Sequence, residues 1–158
     1  MIEEISPALH EKFEIYEWRH ASAVLMKDFP QEWADITDVL GRLIIRKSWI
    51  EVGGGNESKV SKFMGVELRA KGWAERKFQT AILVDGHQTD SPTHKVDCFK
   101  NKVGLEVEWN NKDPFFDRDL NNFRLFFELR ELSVGIILTP HDEFQKIFVN
   151  LDPGLRPR

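Results

Sequence analysis

The sequence predicts an α/β fold in which a mixed central β-sheet is flanked by helices. Residues 31–43, 57–72 and 113–127 carry apolar side chains at three- and four-residue spacing, the mark of a helix with one buried face. Residues 76–84 and 96–109 carry strand patterns instead, and a β-branched apolar run follows the last of these helices at 133–139. Helices and strands that alternate in this way pack as layers on the two faces of a sheet.

Taken in chain order, residues 12–18 alternate as Lys-Phe-Glu-Ile-Tyr-Glu-Trp and are expected to form a strand, with a short helix from His20 to Phe29. Pro30 marks the next start. From Gln31 to Leu43 a helix places Trp33, Ile36, Val39, Leu40 and Leu43 along one face, a stripe built for packing. Gly53-Gly54-Gly55 breaks the chain, and Asn56 stands where it would cap a helix running to about Gly72, with Val60, Phe63, Met64 and Leu68 inward. Arg76 to Val84 reads as a strand whose apolar positions are Phe78, Ala81 or Ile82, and Val84. Residues 85–93 have turn composition without apolar periodicity, so they are expected to connect rather than pack.

Asp113-Pro114 opens the third helix, in which Phe116, Leu120, Phe123 and Phe127 recur every three or four residues, backed by Phe126. Such a helix must lie on a sheet. Ser133 to Thr139 suits a strand reached by a parallel crossover and buried on both faces. A last short helix is expected over 142–148, and the tail 152–158 has no pattern of a packed element. No internal repeat is present.

The chemistry concentrates in the run from Val96 to Trp109. Strand alternation puts Glu106 and Glu108 on one face and Leu105, Val107 and Trp109 on the other. Asn101-Lys102 can make a tight turn, so the preceding strand returns antiparallel and brings Asp97 toward the two glutamates. Carboxylates packed this closely repel, and the usual resolution is a raised pKa or a bound divalent cation. Oxygen-only ligands favour Mg2+, with Mn2+ able to substitute. An Asp and two Glu on a hairpin can also form nothing more than a solvent-facing acidic surface, and spacing alone leaves that alternative open.

With its flanks, this region resembles the type II restriction endonucleases of the BglII, BstYI and BamHI kind, within the PD-(D/E)xK nuclease superfamily. Their core places an Asp on one strand and a Glu-x-Lys, Glu-x-Glu or Glu-x-Gln pair on the next. The matching residues are Asp97 and Glu106-Val107-Glu108, continuing through Trp109-Asn110-Asn111-Lys112-Asp113-Pro114-Phe115 and Val134-Gly135-Ile136-Ile137-Leu138. Upstream, Lys71-Gly72-Trp73-Ala74-Glu75 matches where such enzymes end a helix near an acidic or amide residue that completes the metal site. The resemblance covers roughly residues 57 to 145, and earlier residues follow it only in general pattern. It departs at position 108, where Glu stands in place of the Lys of many of these nucleases or the Gln of the BglII kind.

The resemblance implies a restriction-endonuclease-like fold and a Mg2+-dependent enzyme that hydrolyses double-stranded DNA at a short palindrome, for which a GATC-centred site is suggested. It implies a homodimer, whose two-fold symmetry matches the palindrome. Asp97 and Glu106 would be the central metal ligands, Glu108 would hold or deprotonate the attacking water, and Glu75 would bind that water or a second cation. The roles of Glu75 and Glu108 could exchange, and one or two ions fit equally. Asn110, Asn111 and Lys112 leave the catalytic strand directly and are the foremost DNA-contact candidates. Lys59, Lys62, Arg69, Lys77 and Lys100 are further candidates, although a charge on an exposed helix face is more often simply solvated.

A chain of 158 residues with 41% hydrophobic content has enough apolar material for one core, so 1–158 is read as a single nuclease domain. The chain ends soon after its last expected helix, where the family normally continues, which leaves open that C-terminal elements are absent. The net charge of −4 argues against a generally basic nucleic-acid coat, but local patches outweigh the sum once acids are gathered into a site. Cys98 stands alone, which excludes an internal disulfide framework and fits a reducing cytoplasm. With no secretory leader and no apolar run near 18 residues, a soluble cytoplasmic protein without a membrane partner is expected.

Other motifs weigh less. The glycine triplet lacks a Gly-Lys-Ser/Thr ending and is no phosphate loop. His94, Asp97 and Cys98 look like zinc ligands, yet neighbours on a strand face opposite ways and no second ligand pair exists. Cys98 reads as a core residue, the aromatic run 115–127 as core rather than a base-stacking platform, and His20, His87 and His141 have no evident partners. Two alternatives to the restriction enzyme remain: a weakly specific nuclease of the same fold in repair, phage or mobile-element function, and a non-catalytic DNA-binding module.

Overall fold

Strands β1 (Ala74–Val84), β2 (His87–Lys100), β3 (Val103–Val107) and β4 (Val134–Leu138) form one sheet in that spatial order. The pairs β1/β2 and β2/β3 are antiparallel and β3/β4 is parallel, so the sheet is mixed, as the sequence predicts. This is a computed structural model that describes residues 2–46, 48–49, 57–109 and 114–141, without the side chains of 92–94 and 114–116. The helices are α1 (Pro7–His10), α2 (Ala21–Asp28), α3 (Pro30–Arg42), α4 (Lys59–Arg69) and α5 (Pro114–Glu128). No helix among the described residues is long and apolar enough to cross a membrane.

The β2–β3 turn fixes the centre of the sheet. Asn101 and Lys102 both have positive φ, 46° and 68°, the two-residue geometry whose twist matches antiparallel strands. It closes Lys100 on Val103, Phe99 on Gly104 and Cys98 on Leu105. The hairpin expected at Asn101-Lys102 is therefore present. Side chains from α3 hold that turn: Asn101 Nδ2 donates to Glu32 Oε1 at 2.8 Å, and Lys100 Nζ meets Asp35 Oδ2 at 2.8 Å and the Lys71 carbonyl at 2.9 Å. Trp73 Nε1 and Gln31 Nε2 also donate to the Asp35 carboxylate, each at 3.0 Å. Burial disfavours charge on Asp35, yet the bonds from Lys100, Trp73 and Gln31 outweigh it and hold the carboxyl below its ordinary range.

Apolar packing covers both faces. On one face Ile36 and Val39 of α3 and Val60, Met64 and Leu68 of α4 bury against Cys98, Leu105 and Val107. On the other, Phe123 and Phe126 of α5 pack with Phe78, Val96 and Phe99. That contact requires glycine. A Cβ on Gly135 would lie 2.8 and 2.9 Å from ring carbons of Phe123, and one on Gly104 would lie 3.3 Å from the same ring. The helix α5 forms the crossover between the parallel strands β3 and β4 and is pressed against them.

Several expectations are corrected. Residues 12–18 form no strand: Tyr16 and Trp18 are exposed, and local side-chain bonds take over, Glu17 Oε2 accepting from the Ser22 amide at 3.1 Å and from its hydroxyl at 2.6 Å. Residues 85–93 are not a loop. Asp85 and Gly86, at φ 48° and 82°, make a second two-residue turn, and β2 starts at His87 opposite Val84. Ladder bonds require no apolar period, so Ile82, Leu83 and Val84 lie 57 to 70% exposed on this ribbon instead of packing. On α5 the buried stripe is Asp119, Phe123 and Phe126, while Leu120 and Phe127 face solvent. β4 is the edge of the described sheet, with Gly135 exposed, so it is not buried on both faces. The helix α4 is capped by Ser58, whose Oγ accepts from the Ser61 amide at 2.9 Å. Gly53-Gly54-Gly55, Asn56, the expected helix 142–148 and the tail lie outside the described residues.

Three stability outcomes follow from these contacts. Gly135→Ala lowers the unfolding free energy by about 1–3 kcal/mol in urea titration, because the Phe123 ring cannot yield. Gly41→Ala, with nothing within 4 Å of the new Cβ, is neutral or stabilising. Asp35→Ala costs about 1–3 kcal/mol by the same measurement, since it removes the acceptor shared by the half-buried Lys100 ammonium, the Trp73 indole and the Gln31 amide.

Candidate active site

The hairpin register carries the acids. Continuing the Cys98↔Leu105 pairing by one step sets Asp97 beside Glu106 on adjacent strands. The two are locked reciprocally, the Asp97 amide donating to Glu106 Oε2 at 3.2 Å and the Val107 amide to Asp97 Oδ2 at 3.3 Å. On its other side β2 bulges. Ala74 pairs with Phe99 and Arg76 with Val96, so Glu75 alone faces Asp97 and Cys98. Glu75, Asp97 and Glu106 thus form a row across three strands. Glu75 is not drawn into ligating contact here; it is exposed and paired with Lys95 at 2.7 Å.

Glu108 follows the end of β3, where its amide donates to the Leu138 carbonyl at 2.9 Å. Its side chain is only 4% exposed, as is that of Glu106, because α5 covers them. Alternation places both on the α5 face, away from Leu105, Val107 and Trp109, which join the opposite core. The face assignment made from the sequence is therefore correct.

From α5 come two residues that sequence reasoning missed. Arg118 reaches Glu108 Oε1 at 3.5 Å through Nη2 and Asp119 Oδ1 at 3.0 Å through Nε. Asp119 is fully buried, and its Oδ2 has no hydrogen-bond partner among the described residues. The signal was available, for an acid stood four and seven residues before Phe123 and Phe126, inside the stripe that faces the sheet.

The electrostatics are those of a crowded acid cluster. Burial, then the charges of Asp97 and Asp119, push the Glu106 carboxyl up to about 9. Asp97 lies at the surface, but burial of its carboxyl, with Asp119 and Glu75 nearby, outweighs the Val107 amide and raises it too. Cys98 is buried in the apolar core, as the sequence predicts, and that burial pushes its thiol up to about 12.

Among the described residues no three His, Cys, Asp or Glu side chains stand in a geometry that could hold a metal ion. The donors nonetheless fit a hard divalent cation by their chemistry. They are carboxylate oxygens that burial and mutual repulsion keep short of stabilising charge, and the orphaned Asp119 oxygen lies among them. A cavity of about 480 Å³ lined by Phe13, Leu40, Trp109 and Ile136 includes none of these acids.

The basic candidates are scattered. Lys59, Lys62 and Arg69 are exposed on α4, which packs on the face opposite α5, and Lys77 is exposed on β1 opposite Lys95. Lys100 is engaged by Asp35 and the Lys71 carbonyl, which corrects its reading as a phosphate contact. Asn110, Asn111 and Lys112 lie outside the described residues. His141, read as partnerless, pairs with Glu14 at 2.7 Å.

A protein-family model described as restriction endonuclease BglII/BglIII matches residues 13–151. No curated protein matches the chain.

The raised carboxyls give stability a pH dependence of definite sign. Between the ordinary value of 4.5 and about 9 the folded chain keeps the Glu106 proton that the unfolded chain has released. Without divalent ions, stability therefore falls as pH rises through that window, by up to about 1.4 kcal/mol per pH unit, and the raised Asp97 adds in the same direction. Denaturant titrations from pH 5 to 8.5 should show the decline in the wild type and a much flatter profile in Glu106→Gln. Equal slopes would remove Glu106 as its source.

Proposed function

The chain belongs to the restriction endonuclease BglII/BglIII family, whose members are type II deoxyribonucleases, and on that premise we propose that it cleaves double-stranded DNA at a short palindrome with Mg2+ as cofactor. The observation that carries this reading is the reciprocal pairing of Asp97 with Glu106, beside two buried acids, at the junction of β2, β3 and α5. Rigid strands hold the backbone of the row, and the reciprocal amide bonds keep Asp97 and Glu106 in register with each other.

Asp97 and Glu106 would hold the cation, with Mn2+ a substitute. When bound, it supplies charge neutralisation at the non-bridging phosphate oxygens and lowers the pKa of a water. Glu108 holds or deprotonates the attacking water, and Arg118 beside it orients that carboxylate. Glu75 is the alternative residue for the water or for a second ion. It would have to leave Lys95, an exposed pair that costs little to break.

Asn110, Asn111 and Lys112 continue from Glu108 and are the proposed base-reading and phosphate-positioning segment. Lys59, Lys62, Arg69 and Lys77 would act as phosphate contacts where the duplex reaches them. A palindrome is matched by a homodimer. Residues 1–158 would act as one nuclease domain in the cytoplasm.

Digestion of unmethylated plasmid and phage DNA with Mg2+ tests the reading. The wild type should give discrete bands, and Asp97→Ala should lose on the order of a thousandfold in rate. A smear that the variant abolishes would replace sequence-specific cleavage with weakly specific nuclease action. Absence of cleavage by folded protein in Mg2+ or Mn2+ would leave a DNA-binding module.

A further inference from the structure

We propose that Asp119 of α5 is a further ligand of the divalent-cation centre, its Oδ2 being the oxygen that meets the ion. The inference rests on the metal-dependent reading above and extends the site from the sheet to the helix. Asp119 is fully buried, and its two oxygens are used unequally: Oδ1 accepts from Arg118 Nε at 3.0 Å, while Oδ2 has no partner among the described residues. A buried carboxylate oxygen without a donor is costly, and native structures rarely keep one unless something else completes it.

The neighbours of Asp119 say what would complete it. Arg118 joins Asp119 Oδ1, at 3.0 Å, to Glu108 Oε1, at 3.5 Å, so the Asp119 carboxylate stands beside the acid row and not in the apolar part of the α5 interface, and Asp97 and Glu106 respond to its charge. Its position is set by packing. Phe123, one helical turn on, is seated against Gly135 and Gly104, and Phe126 is fully buried beyond it, so α5 has no freedom to lift Asp119 away. A residue that served only to anchor Arg118 would need one oxygen, and the outer surface of α5 could offer it at lower cost in desolvation. Asp119 instead adds a negative charge to a cluster that already contains Asp97, Glu106 and Glu108, which is destabilising by itself and favourable once a cation is present.

Mn2+ titration of the purified full chain without DNA, followed by calorimetry and by the electron paramagnetic resonance of free Mn2+, tests the assignment. In Asp119→Asn, which keeps the volume and the Arg118 acceptor, affinity should fall about tenfold or more, or one bound ion should be lost. Asp97→Asn should abolish binding. Circular dichroism establishes that the variants are folded. Should Asp119→Asn not fold, the wild type labelled with 13C at aspartate carboxyls gives a second readout: saturating Mg2+ should shift two aspartate signals strongly. Wild-type affinity and stoichiometry in folded Asp119→Asn, or a single shifted signal, would overturn the assignment while leaving Asp97 as a ligand. Wild type that binds no Mn2+ would overturn both this inference and the reading beneath it.

Discussion

The arrangement of this protein depends on the register of the β2–β3 hairpin. One residue of slip would carry Glu106 to the opposite face, against Val60 and Met64, turn Leu105 and Val107 out of that core, and separate Glu106 from Asp97. The two-residue turn at Asn101-Lys102 prevents this from one end. Its two positive φ values are affordable for Asn and costly for Lys, and the cost is offset by Lys100 and Asn101 binding α3. The polar node under the turn and the acid row above it are thus two ends of one mechanical element. The first holds the register, and the second uses it.

A second constraint acts through the sheet. Gly104 and Gly135 leave room for Phe123, so α5 approaches the parallel pair β3/β4 closely and roofs the acids. Close approach is what removes water from Glu106 and Glu108, and removal of water is what raises the Glu106 carboxyl. The bulge at Glu75 acts from the other edge, setting two residues of β2 against one of β1 so that Asp97 projects toward the row. Packing, glycine placement and an irregular ladder therefore converge on one small volume.

Much of this was legible in the sequence because it is local. The Asn101-Lys102 turn, the face shared by Glu106 and Glu108, the helix from Pro30, and the crossover from β3 to β4 all follow from periodicity or turn chemistry within a short window. What was missed depends on partners far along the chain. The β1–β2 ribbon beyond Gln79 is held by ladder bonds and carries Ile82 and Leu83 into solvent, so its apolar residues misled and its Asp85-Gly86 turn was the truer signal. The segment 12–18 alternates as a strand would, but alternation specifies a face and not a neighbour to pair with. On α5, two equally periodic stripes were available, and only the close contact at Gly135 selects the one containing Asp119.

Asp35 and Glu106 show how the same side-chain chemistry separates into structure and function. Both acids are buried to nearly the same extent, yet their carboxyls shift in opposite directions. Around Asp35 stand an ammonium, an indole N–H and an amide, enough donors to outweigh burial, and such a group is complete. Around Glu106 stand one backbone amide and the charges of Asp97, Asp119 and Glu108, so among the described residues the fold carries an electrostatic cost there that the single amide only partly offsets. Selecting that arrangement for stability would be self-defeating, because an apolar residue at 106 would pack against α5 without penalty. A buried acid supplied with donors is a fastener. A buried acid surrounded by other acids is the arrangement on which the proposed cation centre rests.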